Sequence, residues 1–201
     1  MNQFTEKLLL YQIVDINADG FNHLFYSSEL TAFEFFDVDM DGDLDIVVSS
    51  SDGTYLYLND GLGNFEISEH DFGTGNATVI AFGDFNRDSF PDIFIGRPNS
   101  MSSVYINDGN GQFVLNSSVF SSNEIRAVCI EDFNHDGWQD IIIVSGETEV
   151  DSIWVNDQMG GFYNSGDRLI DGKMTAVLSA DVDNDGEIEF IIGQQDKLVI
   201  Q

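Results

Sequence analysis

The sequence has 201 residues, of which 42% are hydrophobic, and this size allows one domain with a single buried core. Its 36 acidic residues outnumber 7 basic ones and give a formal net charge of −29, which would repel nucleic-acid phosphates and anionic membrane surfaces. Cys129 is the only cysteine, so the chain can form neither an intrachain disulfide nor a metal site of several thiolates.

The N-terminal segment predicts a turn and an outer strand. Its apolar residues 8–10 are followed by Tyr11 and Gln12, without the small residues of a signal-peptide cleavage site. No stretch of the sequence reaches the ~20 apolar residues of a membrane helix, so we expect no membrane insertion. Residues 16–25 place an Asn-Ala-Asp-Gly turn before apolar residues, as at the outer strand of a hairpin.

One acidic pattern occurs four times in the remainder of the chain. The four nonapeptides, here called acidic loops 1 to 4, are residues 37–45, 84–92, 132–140 and 181–189. Their first residues lie 47, 48 and 49 positions apart, which indicates a structural repeat. Because the acids are clustered between strand-like runs, they favour metal binding over a solvated face or a disordered tail.

A second motif follows each of the first three acidic loops and begins at Asn59, Asn107 and Asn156. It continues with Asp, glycines and a Phe, which is typical of a tight turn because Asn and Gly tolerate positive φ. Short runs with β-branched and aromatic residues separate these turns, so each repeat predicts about four strands. No segment has sustained helical spacing, and we predict an all-β fold.

A repeat of about 45 to 50 residues with four antiparallel strands is the unit of a β-propeller blade. We predict a single domain, residues 1–201, with blades at about 31–76, 77–124, 125–173 and 174–201 plus 8–28. Pairing of N-terminal with C-terminal strands in the last blade would close the ring and remove exposed strand edges. Tyr57, Tyr105 and Trp154 occupy equivalent positions, which predicts packing between blades.

Each acidic loop has the composition of a site for a hard cation. Side-chain oxygens at positions 1, 3, 5 and 9 and the carbonyl of position 7 would surround Ca²⁺, which takes about six to eight oxygen ligands. An EF-hand shares these nine positions but needs Glu at position 12, where this chain has Val48, Ile95, Ile143 and Ile192. The spacing therefore predicts four Ca²⁺ sites, one per repeat, that are not EF-hands.

The repeats resemble the FG-GAP repeats of integrin α-subunit propellers and their bacterial VCBS relatives, through the acidic loops and through Phe82-Gly83 before loop 2. The resemblance extends from about residue 31 to the last residue. It implies Ca²⁺ in the loop between the first two strands of each blade, and rings that usually contain seven blades. Ser89 replaces the expected Gly and Glu189 the expected Asp, so we expect weaker binding in loop 2 and a shifted metal in loop 4.

The resemblance also implies which residues bind the metal. The side-chain ligands would be Asp37, Asp39, Asp41, Asp45, Asp84, Asn86, Asp88, Asp92, Asp132, Asn134, Asp136, Asp140, Asp181, Asp183, Asp185 and Glu189. Backbone carbonyls would come from Asp43, Phe90, Trp138 and Glu187. We expect structural metals, because carboxylates that converge on one loop repel one another without a cation.

The sequence favours a binding function. By the same resemblance, a protein or glycan partner would contact the face opposite the acidic loops, at residues 49–53, 70–76, 97–102, 146–151 and 166–173, which differ between repeats. A carbohydrate-active enzyme is not expected, because nearly every clustered carboxylate is assigned to metal. An architectural subunit of an extracellular or virion assembly is the alternative, and a homo-oligomer stays open. The demand for calcium favours an extracellular or surface location.

Overall fold

The computed structural model describes residues 30–98, 100–118, 120, 125–146, 151–167, 170, 174–194 and 197–200. In these ranges the chain forms fifteen β-strands in four sheets and no helix. Accordingly, no described helix is long and apolar enough to span a membrane.

The strands are grouped in chain order. Sheet 1 contains β1 (Leu30–Phe36), β2 (Asp45–Ser50), β3 (Gly53–Asn59) and β4 (Phe65–Ile67). Sheet 2 contains β5 (Val79–Gly83), β6 (Asp92–Gly96), β7 (Ser103–Asn107) and β8 (Phe113–Leu115). Sheet 3 contains β9 (Ile125–Glu131), β10 (Asp140–Ser145), β11 (Ser152–Asn156) and β12 (Phe162–Asn164). Sheet 4 contains β13 (Ala176–Ala180), β14 (Glu189–Gln194) and β15 (Lys197–Ile200).

Each sheet is an antiparallel meander in which every strand pairs with the next one in the chain. The first strands of the sheets pack in succession, β1 against β5, β5 against β9 and β9 against β13. Sheets repeated in this way are the blades of a β-propeller, and the predicted all-β fold class is confirmed. The predicted closure of the last blade involves residues 8–28, which lie outside the described part of the chain.

The hydrophobic core lies between successive blades. Val47, Leu56 and Ile93 belong to the cluster between blades 1 and 2, and Phe94, Ile141 and Trp154 to the cluster between blades 2 and 3. A third cluster joins blades 3 and 4. β2, β6 and β10 are buried at every residue and do not alternate between buried and exposed positions, and β6 and β10 contribute side chains to the clusters on both of their faces.

The antiparallel order gives the array two ends. The acidic loops follow the first strands, and the Asn-Asp turns follow the third strands, so both lie at one end, here called the acidic-loop end. The turns between second and third strands and the connections between blades lie at the other end, here called the opposite end. Hydrogen bonds between the two kinds of motif, described below, join them at the acidic-loop end.

Buried phenylalanines from the blade connections fill the space between blades at the opposite end. Phe72 is fully buried, with its ring 5.2 Å from that of Tyr105. Phe120, also fully buried, lies 4.9 Å from Trp154. The packing predicted for Tyr105 and Trp154 is therefore observed, and part of the connection 70–76, predicted as partner surface, belongs to the core.

Candidate metal centres

The carboxylate at position 1 organises the turn of every acidic loop. Asp37 accepts hydrogen bonds from the backbone N–H groups of Asp41 and Gly42, both at 3.0 Å. The equivalent bonds to Asp84, Asp132 and Asp181 measure 2.8–3.1 Å. Ser89 has a φ of 72° at the position where the other loops have Gly, so loop 2 keeps the common form at a backbone cost of about 1–3 kcal/mol.

The carboxylate at position 9 binds a backbone N–H of its own loop and, in loops 1 to 3, also joins the loop to the third strand of its blade. Asp45 is fully buried and accepts one hydrogen bond from the N–H of Val38, at 2.9 Å, and another from the N–H of Asn59, at 2.8 Å. Asp92 and Asp140 are equally buried and make the same two contacts, with Phe85 and Asn107 and with Phe133 and Asn156. Glu189 accepts the first of these bonds from Val182, at 2.8 Å.

Burial gives these buried aspartates unusual acidities. Desolvation raises the pKa of Asp45, Asp92 and Asp140 to about 6, although two backbone hydrogen bonds to each carboxylate favour the ionised form. Neighbouring acids of the same loop raise the pKa further. A cation beside each carboxylate would oppose both effects and keep it ionised.

Carboxylates converge in loops 1 and 4. One oxygen each of Asp37, Asp39 and Asp41 lies within 4.8 Å of the others, and Asp181, Asp183 and Glu189 form a second such group. Asp39 Oδ1 is buried and has no hydrogen-bond partner in the described part of the chain. Burial, and then the charge of Asp41, raises the pKa of Asp39. Converging hard oxygens with one unsatisfied atom fit a hard cation such as Ca²⁺.

Loops 2 and 3 have an amide at position 3, and within the described ranges three acidic groups do not converge there. Asn86 Oδ1 accepts the N–H of Asp88 at 3.0 Å, while its amide nitrogen donates to Asp88 Oδ2 at 2.8 Å. In loop 3 the corresponding oxygen, Asp136 Oδ2, is held by Gln158 Nε2 at 2.9 Å. Amide groups therefore satisfy part of the acidic charge in these two loops. They still offer oxygens at the predicted ligand positions.

Asn59, Asn107 and Asn156 have a second role that was not predicted from the sequence. Each was interpreted as a turn residue, yet each is buried, and its backbone N–H binds the carboxylate at position 9. The side-chain amides donate to carbonyl oxygens at position 8 of the same loop. The recurrence of Asn at one position of three repeats was the signal in the sequence, but turn formation alone accounts for it, because the side-chain oxygen of each Asn also accepts a backbone N–H of the turn.

Trp138, predicted to supply a carbonyl at position 7 of loop 3, also links two loops. The guanidinium of Arg87, from loop 2, lies 5.5 Å from the centre of its ring, close enough for a cation–π contact. Trp138 is half-buried, and its backbone N–H donates to Asp136 Oδ1 at 2.9 Å. The other position-7 residues, Asp43, Phe90 and Glu187, make the same bond to the acid at position 5.

Comparison with known proteins identifies the repeat. The profile of the FG-GAP-like repeat matches residues 37–95, 84–143 and 132–192, which together cover most of the chain. Among solved structures, a lectin from Agrocybe aegerita that recognises non-reducing terminal N-acetylglucosamine is similar at 24% identity and a TM-score of 0.47. That similarity covers 66% of this chain and 36% of the lectin. No match is found among curated proteins.

Proposed function

Since the chain belongs to the FG-GAP-like repeat family, we propose that it is a calcium-binding β-propeller that recognises a protein or glycan partner. The observation that carries the calcium proposal is the convergence of Asp37, Asp39 and Asp41 around a buried oxygen that lacks a hydrogen-bond partner in the described chain. The common hydrogen bonding of all four loops extends the proposal to one Ca²⁺ site in each.

Calcium in these loops would neutralise converging carboxylates and hold the first and second strands of each blade together. The chain's part is to present oxygens at positions 1, 3, 5 and 9 with the carbonyl of position 7. If each site binds with a Kd of ~10⁻⁴ M in about millimolar Ca²⁺, binding adds roughly 1.4 kcal/mol per site. Four sites would add about 6 kcal/mol, comparable to the ~5–15 kcal/mol stability of a whole domain.

Partner recognition belongs to the opposite end in this proposal. A cavity of about 330 Å³ lies there, with Tyr55, His70, Asp52, Glu69 and Asp71 among its lining residues. An aromatic ring beside carboxylates suits a sugar, because the ring can pack on its apolar face and the carboxylates accept its hydroxyl protons. By strand register the counterparts of Tyr55 are Ser103 and Ser152, so this combination is particular to blade 1.

Three further parts of the proposal follow from these features. The role is binding and not catalysis, because the clustered carboxylates serve the cation sites. An extracellular or surface location suits loops that need about millimolar Ca²⁺. The competing function is an architectural subunit of an extracellular or virion assembly, which an extensive interface between copies of the chain would favour.

Native mass spectrometry with calcium, and again after chelation, tests the metal proposal because it counts bound ions and subunits together. We expect up to four Ca²⁺ per chain and the loss of one when Asp37→Ala removes the position-1 ligand of loop 1. The control Glu66→Ala changes an exposed acid on β4 and should leave the count unchanged. A wild-type protein that binds no calcium would contradict the proposal.

A glycan array probed with the calcium-loaded protein tests the partner class. We expect binding to a defined set of sugars and its loss in Tyr55→Ala, which removes the aromatic wall of the cavity. Tyr163→Ala is the matched control, because Tyr163 is an exposed tyrosine on β12, outside the cavity. Sugar binding that survives Tyr55→Ala would move the site elsewhere, and an array without signal would favour a protein partner or the architectural role.

A further inference from the structure

We propose that Asn107 and Asn156 are positioning residues that couple acidic loop 1 to loop 2 and acidic loop 2 to loop 3. The inference rests on the proposed calcium function and adds a property to it: occupancy of one loop changes the affinity of its neighbour. It is carried by hydrogen bonds that cross the blade boundaries between residues far apart in the chain.

The first crossing joins loop 1 to blade 2 through the peptide groups of Val38. The N–H of Val38 donates to Asp45 Oδ2 at 2.9 Å, and its carbonyl accepts a bond from Asn107 Nδ2 at 2.7 Å. The backbone N–H of Asn107 donates in turn to Asp92 Oδ1, at 2.8 Å, in loop 2. Val38 and Asn107 thus link Asp45 to Asp92, and both of these aspartates are predicted ligands.

The second crossing repeats this arrangement between blades 2 and 3. The N–H of Phe85 donates to Asp92 Oδ2 at 2.8 Å, and its carbonyl accepts a bond from Asn156 Nδ2 at 2.8 Å. The N–H of Asn156 then donates to Asp140 Oδ1 at 2.8 Å. A continuous series of hydrogen bonds therefore connects the position-9 carboxylates of loops 1, 2 and 3.

A further hydrogen bond joins loops 2 and 3. Gln139 Oε1 accepts the backbone N–H of Asp84, at 2.7 Å, so a residue of loop 3 also holds the start of loop 2. A Cβ atom at Gly83 would lie 2.7 Å from this oxygen and 2.8 Å from Ile130, which only glycine avoids. The Gly of the Phe-Gly pair is thus required by the neighbouring blade.

Burial makes these connections stiff. Asp45, Asp92 and Asp140 are 0% exposed, and Asn107 and Asn156 are only 1% and 2% exposed. Water cannot replace a lost partner at such positions, and an unsatisfied buried group costs about 1–3 kcal/mol. A position-9 carboxylate that turns toward a cation must therefore move the peptide bonded to it, and with it the Asn of the next blade.

Asn59 provides a matched control for this role. It occupies the same position in blade 1, and its backbone N–H binds Asp45 as in the other blades. Within the described part of the chain, its amide donates only to Leu44 of its own loop, at 3.1 Å. Asn59→Ala therefore removes the same side chain without removing a crossing between loops 2 and 3.

The test is a double-mutant cycle that measures metal binding at loop 3. Terbium(III), an oxygen-binding mimic of Ca²⁺, is titrated and read by luminescence sensitised through Trp138, and Trp138→Phe identifies the loop 3 signal. Loop 2 is weakened by Asp88→Asn, which keeps the acceptor for the N–H of Phe90 but removes the charge. The experiment is repeated in Asn156→Ala and Asn59→Ala backgrounds.

We expect Asp88→Asn to weaken terbium binding at loop 3 about fivefold in the wild-type and Asn59→Ala backgrounds, a typical coupling between sites. In the Asn156→Ala background we expect the effect to fall to about twofold or less, the part carried by the remaining contact between Gln139 and Asp84 and by direct charge effects, which salt screens. An undiminished effect in that background, or none in the wild type, would overturn the coupling.

A substitute variant and the wild-type binding data distinguish the remaining outcomes. If Asn156→Ala does not fold, as judged by its circular dichroism, Asn156→Leu, which is close to Asn in size and uncharged, removes the same donor and takes its place. Absence of both terbium and calcium binding in the wild type would contradict the proposed calcium function and the coupling with it. Normal binding without coupling would overturn the coupling alone.

Discussion

Across the boundaries between blades 1 and 2 and between blades 2 and 3, the acidic-loop end repeats the same hydrogen bonds, whereas the opposite end is held mainly by apolar packing around one buried phenylalanine. Asp92 and Asp140 each accept two backbone N–H groups from equivalent residues. At the other end, Phe72 and Phe120 are both fully buried against rings of the next blade, Phe72 against Tyr105 and Phe113 and Phe120 against Trp154 and Phe162.

The difference separates two ways of holding blades together. The acidic-loop end relies on buried charge and hydrogen bonds, so its stability depends on whatever neutralises that charge. The opposite end relies on apolar packing, which leaves its surface residues free to vary between blades. Calcium should therefore control one end and leave the other largely unaffected, and this expectation can be tested directly.

Calcium removal should have the largest effect. At saturating Ca²⁺ the four sites would contribute about 6 kcal/mol to the free energy of unfolding, and chelation should remove it. Hydrogen exchange read by mass spectrometry should show lost protection at the acidic loops, including the amides of Asp41 and Gly42. The amide of Ser68, bonded to Leu56 at the end of β4, should keep more of its protection. Equal loss of protection at both ends would contradict the expectation that calcium stabilises mainly the acidic-loop end.

Phe72→Ala should have the next largest effect and should not depend on calcium. Phe72 is fully buried against Tyr105 and Phe113, and truncation of such a side chain costs about 3–5 kcal/mol. Denaturant unfolding should show the same loss with calcium as with chelator. A loss that appears only in chelator would mean that the two ends are not independent. Phe65→Ala, on the half-buried start of β4, is the control with a smaller expected loss.

Asp140→Ala should destabilise the protein by about 2–4 kcal/mol even without calcium. The substitution leaves the buried N–H of Asn156 and the partly buried N–H of Phe133 without their acceptor. Asp136→Ala, at the exposed position 5 of the same loop, should cost less in chelator although both would be ligands. Thermal melts in chelator distinguish the two variants. Equal losses would show that position 9 has no structural role apart from the metal.

The acidic-loop end could be predicted from the sequence better than the opposite end, because the same acidic motif recurs at a nearly constant interval. Acidic loops at a nearly constant period were sufficient to predict blades and candidate ligand positions, and the all-β fold follows from them. The crossing from Asn107 to Val38 joins residues 69 positions apart and becomes visible only once strand register is known. No local pattern distinguishes such an Asn from one that merely forms a turn.

The phenylalanines at the opposite end left a weaker signal. Phe72 and Phe120 each follow the aromatic residue of the outer strand, Phe65 or Phe113, by seven positions. The segments around them differ in every other respect, so the spacing occurs in two repeats without a shared motif. Burial there is decided by the gap between blades, which is a property of the assembled fold and not of the segment.

A reciprocal exchange at position 3 should change stability and affinity in opposite directions. Asp39→Asn gives loop 1 the amide of loops 2 and 3, and should stabilise the metal-free protein by about 0.5–1 kcal/mol because Asp37 and Asp41 then repel one charge fewer. The same variant should bind calcium more weakly, since ligand charge tunes affinity. Asn134→Asp should do the reverse. Calorimetric titration and melts in chelator measure both quantities, and changes in the same direction would contradict the argument.

The smallest effect concerns His70, at the opposite end. Its ring lies 4.3 Å from that of Phe72, and its Nε2 is buried without a hydrogen-bond partner in the described chain. Burial lowers the pKa of His70 below its usual 6.5, although the charge of Asp71 opposes this. The unfolded chain then binds the proton more readily, so His70 should cost stability as the pH falls through ~6.5 and cost nothing near pH ~8.

His70→Leu removes the titrating group and keeps an apolar side chain beside Phe72. Between about pH 7.5 and pH 5.5 the variant should lose less stability than the wild type, while the carboxylates contribute equally to both proteins. Denaturant unfolding at fixed calcium measures this difference between the two pH profiles. Parallel profiles would mean that the cavity beside Tyr55 admits water to the imidazole, so that this part of the opposite end is not held by apolar packing.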